Sequence, residues 1–212
     1  MVRRVALVSA LVVLAACPRP GPPRPVPALT GPARVAVVPF GTGTVRGTEV
    51  RPDGETVPAD AGPLVARKLG AHLAAAGIAV VDPDRVAGVW SLADTGAYDA
   101  RMAARIADKV GANVAIFGTL SRYHEREGTA WAVRTPASIA YEATLVHVPD
   151  GALLAVDRFE YAQQALSENL LQLPRFVEGG GRWLTREELL DQALARTAER
   201  YARTLGAPPT RR

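Results

Sequence analysis

The chain has 212 residues, is 48% hydrophobic and carries 25 Lys and Arg against 21 Asp and Glu, for a formal net charge of +4. That length and apolar content are enough for one domain with a packed core. A single cysteine excludes a disulfide within the chain, and the basic residues form no stripe with interleaved aromatics, so no nucleic-acid partner is expected.

The N-terminus reads as an export signal. Arg3 and Arg4 precede the apolar run Val5 to Leu14, and Leu14-Ala15-Ala16-Cys17 follows at once. The run is shorter than the roughly 20 residues that a spanning helix needs. Leu-Ala-Ala-Cys resembles the lipobox of bacterial lipoproteins, which implies a leader over 1–16 and acylation, with palmitate among the chains, of Cys17. Residues 17–33 then form a proline-rich tether, extended because proline fixes φ and lacks an amide donor. Pro18 stands where familiar inner-membrane retention signals carry aspartate, which by resemblance implies the outer membrane.

Arg34 to Phe40 reads as a buried strand stopped at Pro39. After a polar, glycine-rich loop over 41–58, a helix is predicted from Ala61 to Ala76. It places Val65, Leu69, His72, Leu73 and Ala76 on one face, and Gly77 closes it. Ile78 to Val81 is a short strand ended by Asp82-Pro83, and a brief helical stretch carries Val86, Val89 and Trp90. Asp99 caps the next helix, with Met102, Ile106 and Val110 at spacings of four and Gly111 after it.

Asn113 to Leu120 is the third strand, and from there strands follow one another. A short strand is expected at 131–134. Ser138 to Val148 alternates, with Ile139, Tyr141, Ala143 and Leu145 on one face. Pro149-Asp150-Gly151 turns the chain back into a hairpin partner over 152–161. A long irregular segment, 162–183, leads to the capping box Thr185-x-x-Glu188. The last helix buries Leu190, Leu194, Thr197, Tyr201 and Leu205, and Gly206 ends it. The expected fold is α/β (α+β), a mixed sheet with helices packed on it in the order β-α-β-α-α-β-β-β-β-α. Its domain spans 34–206, and 207–212 form a tail.

No chemistry emerges from the motifs. Gly41-Thr-Gly-Thr-Val-Arg-Gly47 follows a strand, but Pro52, Gly54 and Pro58 intervene before any helix, and no Gly-Lys-Ser/Thr ending is present. Asp82 is read as a turn residue. His72, His124 and His147 are dispersed, without ligand spacing. Glu125, Glu127 and Asp157 are read as strand charges that face solvent. No catalytic residue, metal or cofactor is therefore expected, and the chain is not read as an enzyme. The suggestive surface is the long connection, with Gln163, Gln164, Asn169, Phe176 and Trp183 as partner-binding candidates. Alternatively Leu170, Leu173, Phe176 and Trp183 pack back over the sheet.

Three stretches carry a family resemblance. Arg34-Val-Ala-Val-Val-Pro-Phe40 and the helix end Leu-Ala-Ala-Ala-Gly77 with Ile-Ala-Val-Val-Asp82 resemble the start of the CsgG/TolB N-terminal type of domain. Ala107 to Thr119 is similar to that group's Leu-Gly-Ala-Asp segment before its next strand, and Pro149-Asp-Gly151 is similar to its hairpin turn. The group includes the curli secretion channel lipoprotein, a lipoprotein activator of a penicillin-binding protein, and the TolB domain. The resemblance implies a non-enzymatic, lipid-anchored protein on the periplasmic face of the outer membrane that binds another envelope protein, as an assembly component or activator. A second reading is an oligomeric secretion-channel subunit, although the chain lacks an evident pair of long amphipathic hairpins. An envelope enzyme or ligand-binding protein is the third. A homo-oligomer stays open.

Overall fold

Alternation of short apolar runs with amphipathic stretches yields twelve elements among the residues described by a computed structural model: 29, 31–42, 57–91, 98–129, 133–162 and 182–207. They are β1 (Arg34–Val37), β2 (Gly41–Thr42), α1 (Ala61–Ala75), β3 (Ala79–Val80), α2 (Pro83–Ser91), α3 (Ala100–Lys109), β4 (Val114–His124), β5 (Glu127–Gly128), β6 (Val133–Thr135), β7 (Ser138–His147), β8 (Leu153–Ala162) and α4 (Arg186–Thr204). The leader, Cys17 and most of the tether lie outside the described residues.

The main sheet runs β3-β1-β4-β7-β8. β1 is parallel to β3 and to β4, whereas β7 is antiparallel to both of its neighbours, β4 and β8. The mixed sheet with helices packed on it is thus the expected class, with differences in detail. Pro39 interrupts the first strand as expected, but the chain resumes pairing with β4 at β2, where Gly41 lies opposite Thr119. The third strand continues beyond Leu120 to His124, because β7 offers it an antiparallel partner along its whole length. Of the strand expected over 131–134, residues 131 and 132 lie outside the described residues, and Val133–Thr135 form β6, which pairs with β5 in a separate two-stranded ribbon.

Helix ends follow local chemistry. The Asp99 carboxylate accepts from the Met102 amide at 2.9 Å. Asp82 acts as more than a turn residue: its carboxylate accepts from the Asp84 amide at 2.9 Å, and Pro83 opens α2 where an amide would be unused. At α4 the capping box is complete, the Glu188 amide donating to Thr185 Oγ1 and the Thr185 amide to Glu188 Oε2.

Two cores flank the sheet. On one face Val35, Val37, Ile116, Ile139, Tyr141 and Leu145 meet Leu69 and Leu73 of α1 and Leu190, Leu194 and Tyr201 of α4. On the other, Ala36, Val38 and Ala115 meet Val86 of α2 and Met102, Ala103 and Ile106 of α3. Alanines on this second face let α3 sit close to β1 and β4. Gly118 has a specific steric role. A Cβ there would stand 2.2 Å from the Glu142 carbonyl oxygen and 2.4 Å from the Phe40 ring, so the ring fills the place of a side chain.

Candidate interaction surface

The spacing Lys68/His72 on α1 and Glu187/Asp191 on α4 puts each pair on one helical face, four residues apart. Packing of α1 on α4 brings those faces together. Lys68 Nζ lies 3.2 Å from Glu187 Oε1 and 3.4 Å from Asp191 Oδ1, and His72 Nε2 lies 3.1 Å from Asp191 Oδ1. Beside this seam is an open groove of about 420 Å³, lined by Lys68, Thr185, Glu187, Glu188, Asp191 and Gln192. Its rim continues through Arg186, whose guanidinium stands 4.6 Å from the Tyr123 ring centroid and 3.8 Å from Glu125 Oε2.

Charge pairing sets the electrostatics of the groove. Burial alone would lower the Lys68 ammonium, but hydrogen bonds and attraction from Glu187 and Asp191 outweigh it and raise its pKa. Burial would likewise raise the Asp191 carboxyl, yet the hydrogen bond with His72 and the nearby cations hold it below the usual carboxylate range. The Arg182 fork, at 2.6 and 3.0 Å, together with the Thr185 amide pulls the Glu188 carboxyl down to about 2. The lining thus carries one cation, Lys68, and three carboxylates, Glu187, Glu188 and Asp191, a surface of mainly acidic character.

Asp157 corrects the expectation that the strand carboxylates face solvent. It is only 3% exposed. The pleat aims it at α4, opposite the small Ala143 of β7, where Thr197 and Arg200 meet it. Thr197 Oγ1 donates to Asp157 Oδ2 at 2.5 Å, so the Tyr141 hydroxyl, 2.7 Å from the same oxygen, supplies its own proton to Thr197. Tyr201 Oη donates to the Ala143 carbonyl at 2.7 Å. Burial pushes both phenols well above their ordinary pKa, so they remain neutral donors. Every partner in this chain is satisfied within the fold, which makes it a clasp between α4 and the sheet.

Elsewhere the polar groups are dispersed. His147 Nδ1 lies 2.7 Å from Asp150 Oδ1 at the β7–β8 turn, far in sequence and structure from the His72 seam. Phe40 is buried at the end of β1, and Tyr98 Oη donates to the Pro39 carbonyl at 2.5 Å. Burial raises that phenol to about 12. Side chains of the protein itself thus fill the strand end next to the glycine-rich loop. Among the described residues no group of three or more His, Cys, Asp or Glu is placed to hold a metal, and no helix is long and apolar enough to cross a membrane.

Gln163, Gln164, Asn169 and Phe176 lie outside the described residues. Trp183 is described: its side chain is buried, and its carbonyl accepts from Arg126 Nη1. The groove begins two residues further on, at Thr185. Lys68, Glu187 and Asp191 were not singled out by sequence reasoning, although the two i, i+4 pairs on opposite helices are a readable signal once those helices are taken to pack together.

No family model matches the chain, and no curated protein matches it in sequence. Solved structures do resemble it at low identity. A PelC dodecamer from Paraburkholderia phytofirmans is 15% identical with a TM-score of 0.44, covering 86% of this chain and 93% of that one. Lipoprotein GNA1162 from Neisseria meningitidis is 18% identical with a TM-score of 0.44, covering 70% and 96%. The LpoB C-terminal domain from Escherichia coli is 16% identical with a TM-score of 0.39, covering 64% and 86%.

Proposed function

We propose that this chain is a non-enzymatic lipoprotein of a bacterial cell envelope, held by lipid on Cys17 at the periplasmic face of the outer membrane. Its 34–206 domain binds another envelope protein through the groove between α1 and α4. The observation that carries the reading is Leu14-Ala15-Ala16-Cys17 at the end of a short basic and apolar leader, followed at once by a proline-rich run that ends where β1 begins. An acyl-anchored cysteine, a semi-rigid spacer and a folded domain together present a surface away from the bilayer. Each buried acyl methylene adds roughly 0.8 kcal/mol to anchoring, so more than one chain holds firmly.

The start of the domain fits this arrangement. Asn113 grips the incoming chain, its Nδ2 donating to the Pro32 carbonyl at 3.0 Å and its Oδ1 accepting from the Arg34 amide at 2.7 Å. The chain at Pro32 and Arg34 is thereby fixed beside the start of β4. The charged lining of the groove favours a protein partner with complementary polar groups. In-cell photo-crosslinking tests this reading. A crosslinker at Gln192, or at Gln163 or Gln164, is expected to trap one envelope protein, while the same group at Arg101 on α3 traps none. Adducts from Arg101 alone would place the partner elsewhere.

A further inference from the structure

β8 ends the main sheet, and among the described residues no strand pairs with its outer side; Leu153 is 58% and Val156 38% exposed. A bulge at Leu154 interrupts the strand near its start, and the eight residues from Ala155 to Ala162 run on without a proline or a lysine. Long edges of that kind are templates for another strand unless they are blunted. Which backbone groups face outward follows from the hydrogen bonds at the turn. The Val148 amide donates to Asn113 beside β4, and the His147 amide donates to Ala152 on the β8 side. Odd-numbered residues of β7 therefore bond toward β8. Given the register Ala143 to Asp157 and Tyr141 to Phe159, odd-numbered residues of β8 bond back to them. The amides and carbonyls of Val156, Arg158 and Glu160 point away from the sheet.

We propose that this edge pairs with β8 of a second copy of the chain, antiparallel and centred on Phe159. An antiparallel pair of identical strands brings outward-facing residues together only in a few registers, and side-chain charge separates them. Centring on Arg158 or on Glu160 sets Arg158 opposite itself or Glu160 opposite itself. Centring on Asp157 sets Arg158 against Val156. Centring on Phe159 sets Arg158 opposite Glu160 of the other copy, twice.

The neighbouring strand strengthens this choice. Arg158 Nε lies 2.5 Å from Glu142 Oε2, and Arg122 Nη2 lies 3.0 Å from Glu160 Oε1 across the small Ala140. Pairing about Phe159 links these into two ladders of alternating sign, Arg122–Glu160 of one copy continuing into Arg158–Glu142 of the other. Arg158 and Glu160 keep 77% and 62% of their side-chain surface exposed in the single chain, so both remain open to a further partner. The two sheets would then form one continuous sheet through a two-fold axis.

Disulfide trapping reads the register directly. In this pairing Phe159 faces its own copy in a non-hydrogen-bonded position, with Cα atoms about 4.5 Å apart, inside the range a disulfide spans. Full-length protein in mild detergent carrying Phe159→Cys is expected to give an oxidised dimer. Tyr161→Cys is expected to give none, because residue 161 faces residue 157 of the other copy, and wild type controls for Cys17. Trapping equal at both positions, or at neither, overturns the register. Light scattering covers the case in which Phe159→Cys fails to fold. Wild type is expected at twice the chain mass. Val156→Pro, which removes an outward amide, and Arg158→Glu are expected to weaken association at least tenfold, and Arg158→Glu with Glu160→Arg to recover it. A wild-type monomer, or a dimer indifferent to Val156→Pro, contradicts the proposal.

Discussion

The two faces of the sheet are finished differently. α1 and α4 cover one face along its length, so β7 and β8 are held there by Leu190, Leu194, Tyr201 and the Asp157 clasp. On the other face α2 and α3 cover β1 and β4, and the cover ends before β8, where Leu153 and Val156 meet solvent. The same strand is thus fixed on one side and available on the other. Stability resides on the α1–α4 face, and the association proposed above uses the β8 edge that the helices leave uncovered.

Substitution should expose that asymmetry. Leu194→Ala, on the covered face, is expected to cost about 2–5 kcal/mol, because it removes buried methyls and leaves a cavity. Leu153→Ala on the open side should stay within about 0.5 kcal/mol. Urea denaturation of the two variants measures the contrast, and equal costs would erase it. Next in size is the clasp. Asp157→Ala is expected to cost about 1–3 kcal/mol by stranding the Thr197 hydroxyl in a dry site. Tyr141→Phe should cost less, since Thr197 keeps its bond to Asp157. If Tyr141→Phe proves the costlier in chemical denaturation, the clasp is ordered differently.

A smaller effect lies at the start of α4. The Glu188 carboxyl is held down at about 2, below its ordinary range, because Arg182 and the Thr185 amide favour its charged form. A depressed carboxyl stabilises the fold above its unfolded pKa and loses that contribution as pH falls through the folded value. Thermal melts from pH 5 down to pH 2 should therefore show the gap between wild type and Glu188→Gln narrowing. The group is partly exposed, so solvent screening keeps the gap modest. A gap that widens toward pH 2 would reverse the assignment.

Much of the fold was legible because its signals are local. Asp99, Thr185 with Glu188, Gly77, Gly111 and Gly206 mark helix ends by chemistry confined to a few residues, and all five ends fall where that chemistry puts them. The length of β4 was not legible, since only its pairing with β7 carries the strand to His124. Nor was the burial of Asp157, which depends on Ala143 opposite it and Thr197 forty residues away. The groove was half legible: each helix displays its charges at the right spacing, but their meeting is a property of the packing of α1 on α4.

The proposed tethering depends on Cys17. Intact-mass spectrometry of the mature protein from membranes tests it most directly. The expected chain begins at Cys17, lacks residues 1–16 and carries the added mass of acyl groups on that residue. A mature chain with an unmodified Cys17, or one that retains the leader, would contradict it.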